Sequence, residues 1–554
     1  MKNIFTAGYR HFNRYRQIIN IISKHGLGHL LDYLGLKNPL KLPGNKRKIR
    51  EVRTVAVRVK MALEELGPAF IKLGQILSIR PDLLPFNYLA QLEKLRESVS
   101  PVGFDQIQKI IEAELERPIS AVFSKIDPHP AATASIGQVH AGQLLTGETV
   151  VVKVQRPGIR KVVETDLEIL EDLARLLETR TEWRRVYNLT GLIEEFSRSI
   201  RDELDYVIEA ENAERFNKNF KDDPTVRFPK VYWEYATQRV LVLQAISGLK
   251  INDAFGFSEL GINKTEVAQN LVNTVLKQIL SDGFFHADPH PGNIMIAPDG
   301  GIIFLDFGMV GRLNNWMRER LSLLLLNIAQ ENVDNFVDLI MEISDVKGDA
   351  NRLALRHEVH YLFDKYYHRP LNRIKIGPAL RELLSLALEY RFKFPKELSL
   401  IARCVFVLES TVSQLAPERS LLELSRPFGS KLIHEQFAWP YLSKTGLTLL
   451  QDWFFFSLEL PARLKNLLRL TENGELKISL EHHNFDSFIT KMNLIGNRLA
   501  FSLIIAAIIV GSSLIAQQTQ LAFFGSFPIA EAGFLIAVLM GIWLLISIIR
   551  SGKI

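Results

Sequence analysis

The chain has 554 residues, 47% hydrophobic and 23% charged, with a net charge of +6. That length exceeds one typical domain and allows a large core. The single cysteine, Cys404, excludes an intrachain disulfide, a thiolate zinc cluster and an iron–sulfur centre within one chain.

The N-terminal sixty residues are basic, with nine Lys or Arg and one acid, Glu51, between Lys37 and Lys60. Such a run is a solvated face or, beside a membrane, a contact for anionic lipid headgroups. Arg10, Arg14 and Arg16 interrupt the apolar residues, so no cleavable secretory pattern is present, and the lack of Ser enrichment makes a transit peptide the lesser reading. In "LGPAFIKLGQILSIRPDLLP", Pro68 suits a helix start and Lys72 and Gln75 share one face. Gly74 costs about 1 kcal/mol relative to alanine inside a helix, which implies a close approach of another backbone or a ligand, or simply tight packing.

Two strands follow, "ASIGQVHAGQLLTG" and "ETVVVKVQRPG". The second places Lys153 among Val150, Val151, Val152 and Val154, where an ammonium needs either a partner or an edge position in water. The segment Ala131, Ala132, Thr133, Ala134, Ser135, Ile136, Gly137, Gln138 and Val139 lies just ahead, where a phosphate-covering loop would fall, with Gly137 as its only glycine. In "LTGLIEEFSRSIRDELDYVIEAENAERF", Leu192, Phe196, Ile200, Leu204 and Ile208 form a stripe of one amphipathic helix. Its acids are candidates to meet Lys153, and periodicity does not choose among them.

"HADPHPGNIMIAPDGGIIFLDFG", His286 to Gly308, carries the most specific pattern. "IMIA" and "IIFL" flank "PDGG", a hairpin turn; centred between Asp299 and Gly300, it sets Asn293 across from Asp306 with side-chain roots about 5 Å apart. Two such oxygens suit magnesium, whose remaining ligands are water and phosphate. Asp288 stands five residues before Asn293, giving H-x-D-x-x-x-x-N followed by D-F-G, the catalytic and metal loops of kinases in order. A zinc or iron site from His286, Asp288 and His290 would need a regular strand, which Pro289 and Pro291 oppose. After Gly308 the sequence turns directly to helical pattern with no A-P-E, leaving little room to dock a peptide substrate.

The C-terminal region is apolar. "LLQDWFFFSLELPARLKNLLRL", residues 449–470, suits a helix at headgroup level or a core helix. Leu499 to Ala516 is uncharged for 18 residues and Gly533 to Ile549 forms a second apolar run. Lys491, Arg498, Arg550 and Lys553 flank the pair, so both ends are expected in the cytoplasm.

"KLGQ", "AATASIGQVH", "VVVKVQRPG", "ELDYVIEAE", "HADPHPGN" and "DFG", in this order, resemble the UbiB family of atypical, protein-kinase-like membrane proteins tied to isoprenoid-quinone biosynthesis. The resemblance runs from about residue 50 to the C-terminal apolar pair and implies an α+β, bilobal protein-kinase-like fold with an N-terminal helical extension and a C-terminal transmembrane helical hairpin. It divides the chain into a basic N-terminal helical segment (1–60), an extension with the KxGQ motif (61–125), a kinase-like N-lobe (126–250), a helical C-lobe (251–425), a membrane-proximal helical region (426–497) and two membrane helices (498–554).

It implies ATP and Mg2+ as bound groups, Lys153 as a nucleotide contact with Glu209 as its partner, and Asp288 as base. Asn293 and Asp306 match the metal ligands, and Glu203 and Asp205 an E-x-D motif. The element with Lys72, Gly74 and Gln75 lies over the site in the family, and Lys72 is therefore expected to reach Glu203 and Asp205 as a lid. Alanines replace the usual loop glycines, with Thr133 departing from the run. The expected partners are anionic membrane lipid, isoprenoid-quinone precursors and other quinone-biosynthesis proteins, with no nucleic acid; a homodimer is compatible. The expected location is the bacterial cytoplasmic membrane, multi-pass, with the kinase-like part in the cytoplasm. A small-molecule kinase of the aminoglycoside or choline type and a nucleotide-switched, non-catalytic lipid-presenting scaffold are the alternatives.

Overall fold

Along Thr149–Gln155 a period of two sorts the side chains: Val150, Val152 and Val154 are buried, while Val151 and Lys153 take the other face. The three valines pack with Val240 and Val242 against Ile107, Ile110 and Ile111 of the helix Phe104–Leu115. The sheet is antiparallel in the order Phe123–Ile126, Gly137–Leu144, Thr149–Gln155, Val240–Gln244, with the short strand Ala132–Thr133 also paired to Gly137–Leu144. One face of this lobe is thus sealed by a helix, and the face bearing Lys153 is left for a cleft.

The structure, a computed structural model, describes residues 12–28, 54–78, 80, 83–95, 100–180, 188–346, 352–367, 375–390, 392–436, 499–514 and 529–550. The chain forms two compact units, Met1–Ala438 and Trp439–Ile554. Most of the basic run from Lys37, the stretch 449–470 and most of the linker between the apolar runs lie outside the described residues. Two members of the basic run are engaged internally: Arg58 donates to the Gly26 carbonyl at 2.9 Å and Lys60 pairs with Glu64 at 3.0 Å.

The expected helix start at Pro68 holds, with Pro68–Ser78 following Val55–Leu66. These helices share a core with Ile159–Arg180 and Leu189–Glu203 through Leu66, Phe70, Val163, Leu167, Phe196 and Ile200. The stripe from Leu192 to Ile208 does not run through one helix. The chain breaks at Leu204 and Asp205 and restarts as Tyr206–Asn219, with the Asp205 carboxylate capping Val207 N at 3.1 Å. The break is held from the sheet: Gln155 Nε2 donates to the Leu204 carbonyl at 2.8 Å, and Tyr206 N donates to the Gln238 carbonyl at 3.1 Å. Period alone hides such a break, because Leu204 remains buried on the same stripe.

The second lobe is helical. Ala210, Ala213 and Phe216 join Leu271 and Val272 of Lys264–Leu276 and Ala402, Leu408 and Val412 of Lys396–Leu415 in one core. On it lie a small sheet, Val226–Arg227, Ile302–Phe304, Ile294–Ile296 and Leu249–Lys250, and a pair, Phe284–His286 with Val310–Arg312. Beyond Gly308 the chain passes through Val310–Arg312 into the helix Asn315–Ala329, so the segment is as short as the sequence implies. A sheet lobe followed by a helical lobe is the α+β kinase-like fold expected.

Among the described residues, Lys396–Leu415 has the length and hydropathy of a membrane crossing, but Ala402, Cys404, Leu408, Val412 and Leu415 are buried in the helical lobe, as in a core helix. In the second unit, Leu499–Leu514 is a shorter apolar helix and Ile529–Arg550 runs for 22 residues. The two meet antiparallel, with the rings of Phe501 and Trp543 5.9 Å apart and Gly533 against Ser512.

Candidate active site

The antiparallel register sets Lys153 between Val139 and Leu241. The helix restart at Asp205 brings Glu209 opposite, and Lys153 Nζ donates to both of its carboxylate oxygens at 2.8 and 2.7 Å. The ring of Tyr206 lies 5.3 Å from the same ammonium. Asp306 Oδ1, beyond the strand Ile302–Phe304, is 3.7 Å from Lys153 Nζ and accepts from Gly308 N at 3.0 Å. Burial opposes the charge on Lys153, but Asp306 and Glu209 outweigh it and hold the ammonium well above its ordinary value. The nearby Lys153 holds the Asp306 carboxyl far below the usual carboxylate range.

The hairpin forms, but one residue out of the expected register. Ile296 pairs with Ile302 and Ile294 with Phe304, so Asn293 opposes Leu305, whose N donates to the Asn293 carbonyl at 3.0 Å. The cause is the turn. Pro298, Asp299 and Gly300 make a three-residue loop closed by Ala297 and Gly301, with Gly300 at φ +85° supplying the left-handed position. Asn293 and Asp306 still line one cavity, because Asp306 lies just past the paired residues.

That cavity, of about 360 Å³, also receives Lys72, Gln75, Lys153, Glu203, Glu209 and Asp288. Asn293 Nδ2 donates to the Asp288 carbonyl at 3.2 Å, which leaves the amide oxygen as a ligand atom. Oxygens from Asn293 and Asp306 fit a hard cation such as Mg2+. A metal triad of His286, Asp288 and His290 does not form: His286 Nδ1 accepts from Asp288 N, His290 Nδ1 accepts from Gly292 N, and Asp288 Oδ2 is bound by Arg403. Among the described residues no group of three metal-binding side chains is assembled. Burial pushes the His286 imidazole below its ordinary value, so it stays neutral, contacting the Asp306 carbonyl through Nε2.

The alanine loop is a tight hairpin: Ala131 N donates to the Val139 carbonyl at 2.8 Å and Ala134 N to the Gly137 carbonyl at 2.9 Å. Thr133, Ala134, Ile136 and Gly137 line the cavity, and Val139 shares the Lys153 face. Four of the other expected nucleotide contacts, Ala131, Ala132, Ser135 and Gln138, do not line the cavity. Ala132 is exposed, Ser135 is fully buried, and Gln138 is fully buried with its amide on the backbone of Val102, so it anchors the loop. At Gly137 a Cβ would lie 2.2 Å from the Tyr206 hydroxyl, which accounts for glycine there.

Of the two acids expected to meet Lys72, one does. Lys72 Nζ pairs with Glu203 at 2.5 Å, and Asp205 serves as the helix cap already described. At Gly74 a Cβ would run into the side chains of Leu95 and Leu63, so tight packing against these leucines accounts for the glycine. Sequence reasoning missed Tyr206, Met309 and Arg403, which line the cavity. A lone arginine inside the apolar run "LIARCVFVLE" was the available signal, since a buried charge demands a partner.

A strand lysine held by a helix carboxylate, facing an H-x-D loop and a D-F-G aspartate across one cavity, defines a kinase-like site. The chain carries an ABC1 atypical kinase-like domain over residues 94–340, a UbiB helical domain over 359–420 and an ABC1/UbiB kinase-like C-terminal domain over 483–550. It is 34% identical to the "Uncharacterized protein in hydrogenase 1 5'region" of Clostridium pasteurianum, covering 97% of this chain and 99% of that one. It is 32% identical to "Probable protein kinase UbiB" of Marinobacter nauticus, covering 83% of this chain and 85% of that one. A solved structure, "The complex structure of Rv3197-erythromycin from Mycobacterium tuberculosis", matches with a TM-score of 0.46 at 22% identity, covering 66% of this chain and 93% of that one. The chain belongs to the ABC1/UbiB family of atypical kinase-like proteins.

Proposed function

We propose that the protein is a membrane-anchored, atypical kinase-like ATPase that binds Mg-ATP and supports isoprenoid-quinone biosynthesis, acting on or presenting a small or lipid-borne substrate. The observation that carries this is the contact of Lys153 with both Glu209 and Asp306 in a cavity shared with Asp288 and Asn293. Lys153 would orient phosphate oxygens, Glu209 keeps that lysine in place, and Asp288 would take the proton of the attacking hydroxyl or water. Asn293 and Asp306 would hold Mg2+, which neutralises charge on the phosphates. The Lys72–Glu203 pair closes the lid over the cavity, and the segment after Gly308 gives a peptide little to dock on, which favours a small acceptor.

Anchoring rests on the second unit. At 1.5 Å per residue, the 22 residues of Ile529–Arg550 span about 33 Å, enough for the hydrocarbon core. Leu503, Val510, Leu514, Leu535, Val538 and Leu539 are exposed, as suits lipid contact. The quinone link comes from the family and from the relatives named UbiB. The test is ATP turnover by the full chain, with and without anionic vesicles carrying prenylated quinone precursors. The proposal expects turnover to rise with the vesicles; turnover absent under every condition contradicts it.

A further inference from the structure

We infer that Arg403, from the helix Lys396–Leu415 of the helical lobe, is a catalytic residue that grips the terminal phosphoryl group of the nucleotide beside Asp288. The inference rests on the nucleotide reading above and adds to it the cation that the H-x-D loop lacks.

In phosphoryl transfer two anions meet, the base carboxylate and the terminal phosphoryl group, and a cation between them stabilises the charge that spreads over the phosphoryl oxygens. The loop "HADPHPGN" contains no Lys or Arg. Lys153 is engaged by Glu209 and Asp306, and Lys72 by Glu203. Arg403 is the cation on Asp288: its Nη2 donates to Asp288 Oδ2 at 2.7 Å, and its side chain lines the same cavity.

Its other terminal nitrogen decides the matter. Among the described residues, Arg403 Nη1 is buried and has no hydrogen-bond partner. A buried guanidinium N–H without an acceptor is costly, and a native structure retains one for a reason. A phosphoryl oxygen next to Asp288 would supply the missing acceptor, and the planar fork of arginine suits it to hold a carboxylate with one nitrogen and a phosphoryl oxygen with the other. The side chain is also held in place from behind. The adjacent residue, Cys404, donates its Sγ–H to the His286 carbonyl at 3.5 Å, so the helix is fixed to the loop at consecutive positions.

In the step so served, the acceptor oxygen bonds to the γ-phosphorus as the bond to the β–γ bridging oxygen breaks. ADP leaves with that electron pair, and the acceptor's proton passes to Asp288. Arg403 keeps its charge throughout.

The experiment measures affinity for Mg-ADP and for a non-hydrolysable Mg-ATP analogue, together with ATP turnover, on the full-length parent, Arg403→Ala and Arg403→Lys. The expected result for Arg403→Ala is an unchanged ADP affinity, analogue affinity about 10-fold or more weaker, and turnover about 1,000-fold or more lower, as for arginines in this role. Free guanidinium should restore part of the turnover of Arg403→Ala and none to the parent. Affinity ratios are read on folded protein only. If the alanine variant does not fold, Arg403→Lys must still shift the ratio, since lysine cannot bridge two anions in the same plane. A parent that binds both nucleotides, with variants that keep its affinity ratio and turnover or lose both affinities equally, overturns the inference alone. A parent that binds neither nucleotide overturns the nucleotide reading and this inference with it.

Discussion

Lys153→Met and Glu209→Gln, made singly and together, measure the pair at the centre of the site. Two contacts of 2.8 and 2.7 Å between unit charges correspond to a gross attraction of about 6 kcal/mol at an effective dielectric constant of ~20. Desolvation consumes much of that, since the Glu209 side chain is only 6% exposed and that of Lys153 23%. Removing one member of a buried pair costs about 3–5 kcal/mol. Here the lower end applies to Glu209→Gln, because Lys153 keeps Asp306 at 3.7 Å. The expected loss is therefore about 3 kcal/mol for Glu209→Gln and about 5 kcal/mol for Lys153→Met, which leaves Glu209 and Asp306 without their shared cation, with a coupling of about 2 kcal/mol across the cycle. Denaturant unfolding of the four full-length proteins in the same detergent supplies the measurement, and the cycle cancels errors common to all four. A coupling under about 0.5 kcal/mol would refute the reasoning that the pair is desolvated and organises the cleft.

Gly74→Ala should trade a helix-propensity gain of about 1 kcal/mol against about 1–3 kcal/mol of overpacking on Leu95 and Leu63, for a net thermal destabilisation with nucleotide affinity unchanged; a tenfold affinity loss at parent stability would contradict a packing role. Burial depresses the His286 pKa, so the unfolded chain binds more protons below its own pKa of about 6.5, and the His286 contribution to stability should be lost as pH falls from there toward the lower folded value. His286→Asn should flatten the pH dependence of unfolding in that window, and an unaltered profile would count against it. Cys404 is fully buried and burial pushes its thiol pKa up, so it should resist maleimide in the native protein, and Gln520→Cys should label only from the side opposite the kinase-like unit; labelling from the cytoplasmic side would overturn the hairpin.

The strands, the Pro68 helix and the order of the site residues were legible because each has a local signature: alternation around Lys153, a proline at a first turn, a turn-rich spacer between two apolar runs. The break at Asp205 was not, since Leu204 stays buried and hydrophobic period sees no interruption. Its cause lies in Gln155 and Gln238, distant in sequence. The one-residue shift at Asn293 arises because Gly300 makes a three-residue loop where "PDGG" suggests a turn of even length. Arg403 escaped for the same long-range reason, standing 115 positions from the aspartate it meets. Gln138 belongs to the loop motif, and only the fold shows that its amide is spent on Val102.

The central claim, a magnesium-nucleotide site built on Asp306, is tested most directly by thermal unfolding of the full-length parent and Asp306→Asn with ADP or ATP, with and without magnesium. At nucleotide 100-fold above its Kd, binding to the folded state alone is worth about 2.7 kcal/mol. The account predicts a magnesium-dependent stabilisation of that order in the parent and loss of most of it in Asp306→Asn. Equal magnesium-dependent stabilisation of the two proteins, or none in the parent, would contradict it.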